Sequence, residues 1–370
     1  MQNPLSLLME VHGVERFFLG PKPFVFVADA DAAGKVLVTQ SSVFRQNRFV
    51  FDRIQPVTGS KGVVQLEGEE SKAARVKSRS VFSKEALQKA RFIVEERTQA
   101  MIDCSVNCFD PAREITSLIL GTAFEIFLGV QIDVEKSGQD YLELNRLCGK
   151  RMRSPITFPS FRLRKLQKKI RDLVRDAGNT PLTYAFRNDP YQLDHFLTFL
   201  FAGHETTAAS IAFSLLLLAQ RPELQRKIAM GDQTLTREVY REALRVYPPA
   251  YMLARQAEQS MSLEGVRVKR GDTVIVAIYN MHHNEEYFPD HAQFKPGRRS
   301  KIPYSYNPFG AGAKACLGER LAYLEAEVVI EAFCKAFEFS GPKNILSEAL
   351  ITLHPKEGQF LNLKKRRVYD

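Results

Sequence analysis

A mainly α-helical fold with a smaller β-rich part is what this sequence predicts, and three observations predict it. Capped, apolar-periodic stretches of helical spacing dominate from Ser83 to about residue 246 and return after Gly318. Short β-like runs broken by Gly, Pro and Asp fill the beginning of the chain and 250–305. No internal repeat, low-complexity linker or composition break divides the chain. The expectation is one domain over 1–370. Its β-rich part would come from about 1–65 and 250–305, its helical part from about 66–249 and 306–340.

In chain order, "PFVFVA" and "GKVLV" read as strands. "SKEALQKARFIVEERTQAMID" starts with Ser83 as its cap. "DPAREITSLILGTAFEIFLGV" starts with Asp110 as cap and Pro111 at the first helical position, where a missing N–H costs nothing. Helices are expected through 141–177 and 192–246, the latter stopped by Pro248-Pro249. "SMSLEGVRVKRGDTVIVAIYNMHHN" reads as strand, Gly turn, strand. A last helix is expected over about Leu317–Phe337.

Composition is that of a globular protein with room for a large core: 370 residues, 45% hydrophobic and 25% charged. There are 26 Phe and no Trp, so aromatic packing falls to Phe and Tyr. The five cysteines are odd in number, and their spacing suits neither a zinc ribbon nor an iron–sulfur cluster. "MQNPLSLLMEVHG" has no basic start and no long apolar run, so a reduced, cytoplasmic setting is the default. The net charge of +10 fits a solvated basic surface or a docking face for an acidic partner protein. Basic residues cluster in 151–177, but that stretch also reads as an amphipathic helix, and no nucleic-acid-binding motif accompanies it.

"FGAGAKACLG" (309–318) admits three readings. Gly310, Gly312 and Ala315 satisfy G-x-G-x-x-A, yet that fingerprint must follow a strand, and Pro303 and Pro308 break "SKIPYSYNPF". Cys316 before a helix start could be a low-pKa nucleophile, but the seven histidines show no arrangement that supplies its base. The third reading is an axial thiolate on haem iron. Glycines would bring backbone N–H groups near the sulfur, and Phe309 would shield it.

"FLTFLFAGHETTAASIAFSLLLLAQ" (196–220) is apolar nearly all round, hence buried or membranous. His204 and Glu205 near its middle make a membrane span costly. Glu205-Thr206-Thr207 in such a helix reads either as a polar kink or as a proton relay to bound oxygen. Glu242 and Arg245 lie three apart on one helix face. Arg255 follows in an expected strand, and "FKPGR" (294–298) supplies Arg298.

Together and in this order, these pieces resemble one family, the cytochrome P-450 haem-thiolate monooxygenases. Phe309, Gly312, Cys316 and Gly318 fill F-x-x-G-x-x-x-C-x-G, and "AGHETT" fits [AG]-G-x-[DE]-T-T. "EALR" is the E-x-x-R pair, and "FKPGR" fits the loop whose arginine joins it. The resemblance runs from about Glu67 to Phe339 and more weakly beyond.

The resemblance implies the cytochrome P-450 fold, with haem b between the long central helix and the Cys-ligand loop. It implies Cys316 as proximal iron ligand, with Phe309, Gly310, Lys314 and Gly318 around it. Glu205 and Thr206 would be the distal acid–alcohol pair. Arg75 and Arg255 would hold the haem propionates, since a guanidinium grips a carboxylate in bidentate fashion. Glu242, Arg245 and Arg298 would form a structural ion network. O2 would be co-substrate, and NAD(P)H would supply electrons through an acidic ferredoxin or flavodoxin with its reductase. A soluble, bacterial-type enzyme without a membrane span is implied, oxidising an apolar or aromatic small molecule of secondary metabolism.

Leu200, Ala202, Met252 and Leu253, with 48–66 taken as a loop and 150–163, are the pocket candidates. Two departures stand out. Ser71 lies where the family has Trp or His, and Lys314 where Arg or His is usual. The segment before the central helix is short for the family. Phenol coupling without oxygen insertion, and a non-catalytic haem carrier or sensor, stay open as other uses of the same iron.

Overall fold

The structure, a computed structural model, describes residues 11–19, 22–153 and 160–366. Along the chain run β1 (Gly13–Leu19), β2 (Lys22–Ala28), α1 (Ala30–Gly34) and β3 (Phe44–Gln46). Next come α2 (Arg48–Thr58), α3 (Gly68–Lys77), α4 (Lys84–Cys104), β4 (Cys108–Phe109), α5 (Pro111–Leu128), α6 (Gln139–Arg153), α7 (Phe161–Arg175) and α8 (Pro181–Ala185). The long helix α9 (Gln192–Leu218) leads to α10 (Pro222–Ala229) and α11 (Gln233–Val246). Strands β5 (Leu253–Ala257), β6 (Met261–Leu263), β7 (Val266–Val268) and β8 (Thr273–Val276) precede α12 (Ile278–His282). The chain closes with α13 (Glu319–Ala336), β9 (Phe337–Ser340), β10 (Ser347–Ala349), β11 (Leu353–Pro355) and β12 (Leu361–Lys365).

The chain divides into two compact units: Met1–Asp52 with Glu242–Cys316, and Arg53–Arg241 with Leu317–Asp370. The first is built on a five-stranded sheet of order β1-β2-β8-β5-β3, in which β2 and β8 run parallel and the other pairs antiparallel. Alternation sets its core: Val25 and Val27 of β2 face inward with Val274 and Val276 of β8, all fully buried. The β6–β7 hairpin turns at Glu264 and Gly265, both at positive φ, as the sequence expects of its Gly turn.

The second unit gathers around α9, against which α5 makes its largest contact. Leu215, Leu216 and Leu218 are fully buried, each contributing about 1.5–3 kcal/mol of transfer free energy. By length and composition α9 could cross a membrane, but 72% of its apolar stretch is buried inside the fold. Ser83 caps α4 by accepting from Ala86 N, and Asp110 caps α5 by accepting from Ala112 N, as their sequence positions predict. Phe109, Phe333, Phe337 and Phe339 form a ring cluster with centroid spacings of 5.0–5.2 Å, tying β4, α13 and β9 together.

Three sequence expectations are corrected. "GKVLV" is not a strand: Ala30–Gly34 and Lys35–Thr39 are helical turns, started by Asp29 accepting from Ala32 N at 2.8 Å. Its Val and Leu look β-like, but the cap and the Ala-rich start decide the matter. Residues 48–66 are not all loop, because Arg48–Thr58 is α2, preceded by Asn47 accepting from Val50 N. "IYNMH" is helical, not the end of a strand. The C-terminal strands β9–β12 drew no expectation. Of the pocket candidates in 150–163, residues 154–159 lie outside the described residues.

Candidate active site

The loop that presents Cys316 is held by its own backbone. Gly310 and Gly312 sit at φ +68° and +69°, the left-handed region that glycine enters freely. At Gly312 any Cβ would collide with the Leu37 carbonyl oxygen, so close approach as well as dihedral requires glycine. Gly310 N donates to Asn307 O at 3.0 Å and Cys316 N to Phe309 O at 2.9 Å, closing the loop across its two motif residues. Cys316 is exposed, unusual for a residue type that ranks among the most buried. Lys314 is half-buried.

A buried network supports this loop from within the same unit. Glu242 and Arg245, on the last turn of α11, are 3% and 1% exposed. Arg245 Nη2 and Nε donate to Glu242 Oε1 and Oε2 at 2.8 and 3.0 Å. Arg298 Nε lies 3.4 Å from Oε1, so the structure brings together all three members expected of the network. Arg245 also donates to the carbonyls of His282 and His291, both at 2.8 Å. His282 Nε2 accepts from Asn307 N at 3.1 Å, and its ring stacks on Tyr306. Burial holds the His282 imidazole well below its usual pKa, which keeps Nε2 an acceptor. Arg245, His282 and Asn307 thus connect the ion pair to the start of the cysteine loop.

In the second unit, α9 is buried along most of its length but uncovered at its middle. Ala202 is exposed, and Gly203 and Thr206 are half-buried. Gly203 is needed for the approach of α5, since a Cβ would come within 2.6 Å of the Phe127 ring. Thr206 Oγ1 donates to Ala202 O at 3.0 Å, one turn back.

Glu205 and Thr206 are consecutive, so they point about 100° apart around the helix and share no face. Glu205 Oε1 accepts from Thr352 Oγ1 at 2.8 Å, and Oε2 is buried without a hydrogen-bond partner among the described residues. His204 is fully buried, Nδ1 donating to Leu200 O at 2.8 Å and Nε2 accepting from Asn145 Nδ2 at 3.1 Å. Burial lowers its pKa, so it stays neutral.

The other sequence candidates fall as follows. Arg75 is half-buried on α3, one turn from the buried Ser71. Arg255 is half-buried on β5, with Nη1 donating to Ala254 O at 3.0 Å. Met252 and Leu253 are half-buried and Leu200 is fully buried. Sequence reasoning missed Asn145, Thr352, His282 and Leu37. Of these only His204's partner was open to search, because a polar residue in an apolar helix demands one.

The donor set suits an iron carried in a porphyrin. Cys148 and Cys334 are buried thiols pushed up to about 12 by burial, hence inert. Cys316, by contrast, is exposed in a glycine-built loop and offers a single soft ligand.

The sequence model of the family described as Cytochrome P450 matches residues 5–182 and 193–362. The rat protein Cytochrome P450 4V2 is 24% identical over 443 residues, 96% of this chain and 83% of that relative. Cytochrome P450 6B4 of Papilio glaucus is 35% identical over 54% of this chain and 46% of its own length. The solved structure of CYP175A1 from Thermus thermophilus matches with a TM-score of 0.84 at 25% identity, over 98% of this chain and 96% of that one. A 6-coordinated cytochrome P450, also from Thermus thermophilus, matches at 0.82 and 25%, over 98% of both. The chain belongs to the cytochrome P450 family of haem-thiolate monooxygenases, oxidoreductases that use haem b, O2 and electrons drawn from NAD(P)H through partner proteins.

Proposed function

We propose that Cys316 would hold the iron of haem b through its thiolate and that the enzyme oxidises an apolar or aromatic small molecule. One observation carries this: an exposed cysteine on a loop whose glycines sit at positive φ, closed by the Cys316–Phe309 backbone bond. Bound haem supplies the oxygen-activating chemistry, which a thiolate ligand favours. Phe309 shields the sulfur and Lys314 adds a positive charge beside it. Arg75 and Arg255 are the residues that would hold the cofactor's carboxylates. With Ser71 in place of a ring, α3 contributes Arg75 alone to that grip.

Glu205 takes up a proton on its own face of α9, water would carry it round the helix, and the Thr206 hydroxyl would hold it at Oγ1, which the bond to Ala202 O keeps oriented along the helix. Leu200 and Ala202 in one unit, and Met252 and Leu253 in the other, are apolar side chains of the kind that exclude water and orient a small substrate. The charge of +10 supports docking of an acidic ferredoxin or flavodoxin in the cytoplasm. Secondary metabolism is the role we propose for this oxidation, and the apolar side chains support an apolar or aromatic substrate.

The test is the absorption spectrum of the reduced, carbon-monoxide-bound protein. The wild type should show the red-shifted Soret band of thiolate ligation, and Cys316→Ala should lose it. A purified wild type that is colourless and takes up no haemin overturns the assignment. Absorption shifts on titrating small aromatic compounds then identify the substrate class.

A further inference from the structure

In the first unit, the loop that follows α12 carries His283, Glu285, Glu286, Asp290 and His291 within nine residues. Its backbone fixes one of these carboxylates: Asp290 N donates to Glu285 Oε1 at 2.9 Å and His291 N to Oε2 at 3.5 Å. Glu285 Oε2 then lies 3.8 Å from His291 Nε2, too far for a hydrogen bond. Two ligand atoms sharing one zinc ion stand about 3.4 Å apart at the tetrahedral angle, and further apart at wider angles. The rings of His291 and His283 meet edge to face with centroids 5.8 Å apart. His283 Nδ1 donates to Tyr279 O at 2.8 Å, so Nε2 keeps a bare lone pair, and burial holds the ring neutral with a pKa of about 4. A metal-bound histidine characteristically gives its other N–H to a backbone carbonyl in this way. His291 Nδ1 is buried without a hydrogen-bond partner, so neither nitrogen of that ring is committed. The cations facing the loop, Arg245 and Arg298, have Glu242 as counter-charge at 2.8 and 3.4 Å, and Glu286 and Asp290 are exposed.

We propose that His291 Nε2, Glu285 Oε2 and His283 Nε2 are the protein ligands of a site for a divalent transition-metal ion of zinc's class, with water completing the tetrahedron. Imidazole and carboxylate are ligands that such an ion accepts. No three such groups already surround one point among the described residues. The ion therefore draws them together by a turn of the His291 ring, which no hydrogen bond opposes. Binding is a ligation without electron transfer, and it does not involve Cys316. A bound ion pins the loop whose His282 and His291 carbonyls receive Arg245, and so stabilises the chain around the buried ion pair.

The test uses the haem-loaded protein with zinc chloride as the probe. Calorimetry should show saturable uptake of one zinc ion per chain. His283→Gln, His291→Gln and Glu285→Gln should each weaken it by at least about tenfold, the loss that even an outer-sphere partner produces. His354 supplies the control: its Nε2 also lies 3.8 Å from a carboxylate oxygen, that of Glu348, but no second imidazole stacks against it among the described residues. His354→Gln should therefore bind zinc as the wild type does. Zinc should raise the unfolding temperature of the wild type and leave that of His291→Gln unchanged. The zinc-edge X-ray absorption spectrum of the wild type should show scattering by two imidazoles, a readout that needs no variant to fold. No saturable uptake by the wild type, uptake that survives in both His283→Gln and His291→Gln, or a spectrum with one imidazole or none overturns the inference.

Discussion

Arg245 grips both carboxylate oxygens of Glu242, at 2.8 and 3.0 Å, in a pair that is 1% and 3% exposed. Its remaining donors go to the carbonyls of His282, His291 and Gln293. Glu242 in turn accepts from Lys295 N at 3.1 Å. The pair is thus less an isolated ion pair than a clasp that fixes the irregular chain between His282 and Arg298.

Truncating one member, as in Glu242→Ala, leaves a buried guanidinium without its counter-charge. The expected loss is about 3–5 kcal/mol in urea unfolding. Buried pairs can often be replaced by two apolar residues at little cost, but not this one. In a double Glu242→Leu, Arg245→Met variant the carbonyls of His282 and His291 would lose their Arg245 donors, and that of Gln293 would keep only Arg298 Nη2. The double variant should therefore be no more stable than the single one. Recovery to wild-type stability would show that the carbonyl contacts are dispensable.

Gly310 and Gly312 offer a paired experiment, because both have positive φ but only one has a crowded Cβ position. At Gly310 the nearest atom to an added Cβ is Leu253 Cδ1 at 3.6 Å, an ordinary contact. Gly310→Ala should cost only dihedral strain, about 1 kcal/mol. Gly312→Ala must also displace the Leu37 carbonyl, and with it the backbone that places Cys316. Thiolate ligation, read from the reduced carbon-monoxide spectrum, should be largely lost in Gly312→Ala and kept in Gly310→Ala. Equal spectra would mean that the Leu37 contact does not position the cysteine.

The contrast between these glycines also marks what the sequence could and could not reveal. The motif residues were legible because each imposes a local rule: glycine for left-handed backbone, Pro111 and Asp110 for a helix start, Pro248-Pro249 for a stop. The α9 pattern was legible because a continuous apolar run with an acid in it has few explanations. "GKVLV" failed because β-branched residues outvoted a capping aspartate five residues upstream of Gly34. Thr352 was invisible for another reason. Its bond to Glu205 spans 147 residues, and nothing in "LITLHP" sets it apart from any other threonine. Contacts of that separation are set by tertiary packing, which no local pattern records.

Acid should unfold the protein through its buried imidazoles. Burial lowers the pKa of His195, His204, His282 and His283, that of His283 to about 4. Each is depressed relative to its unfolded value of 6.5, so its contribution is intact above that pH. Below it the unfolded chain binds the proton first, and stability falls until the folded pKa is passed. For His283 the window runs from 6.5 down to about 4, with a slope of about 1.4 kcal/mol per pH unit. His283→Gln should remove one such slope from the stability–pH curve measured by urea unfolding. An unchanged slope would mean that His283 titrates normally in the folded protein.

Glu325 should act in the opposite direction. It sits on α13 at 2% exposure, and burial pushes its carboxyl up to about 8 from an ordinary 4.5. The folded protein therefore keeps this proton over a range in which the unfolded chain has released it. Stability from this group is complete below pH 4.5 and declines as pH rises through about 8. Glu325→Gln keeps the shape and removes the ionisation. At pH 5 the variant should be close to wild type, and at pH 8 it should be more stable by about 4 kcal/mol. Parallel stability curves for the two proteins across that range would show that Glu325 ionises in place, with a counter-charge or water supplied on folding.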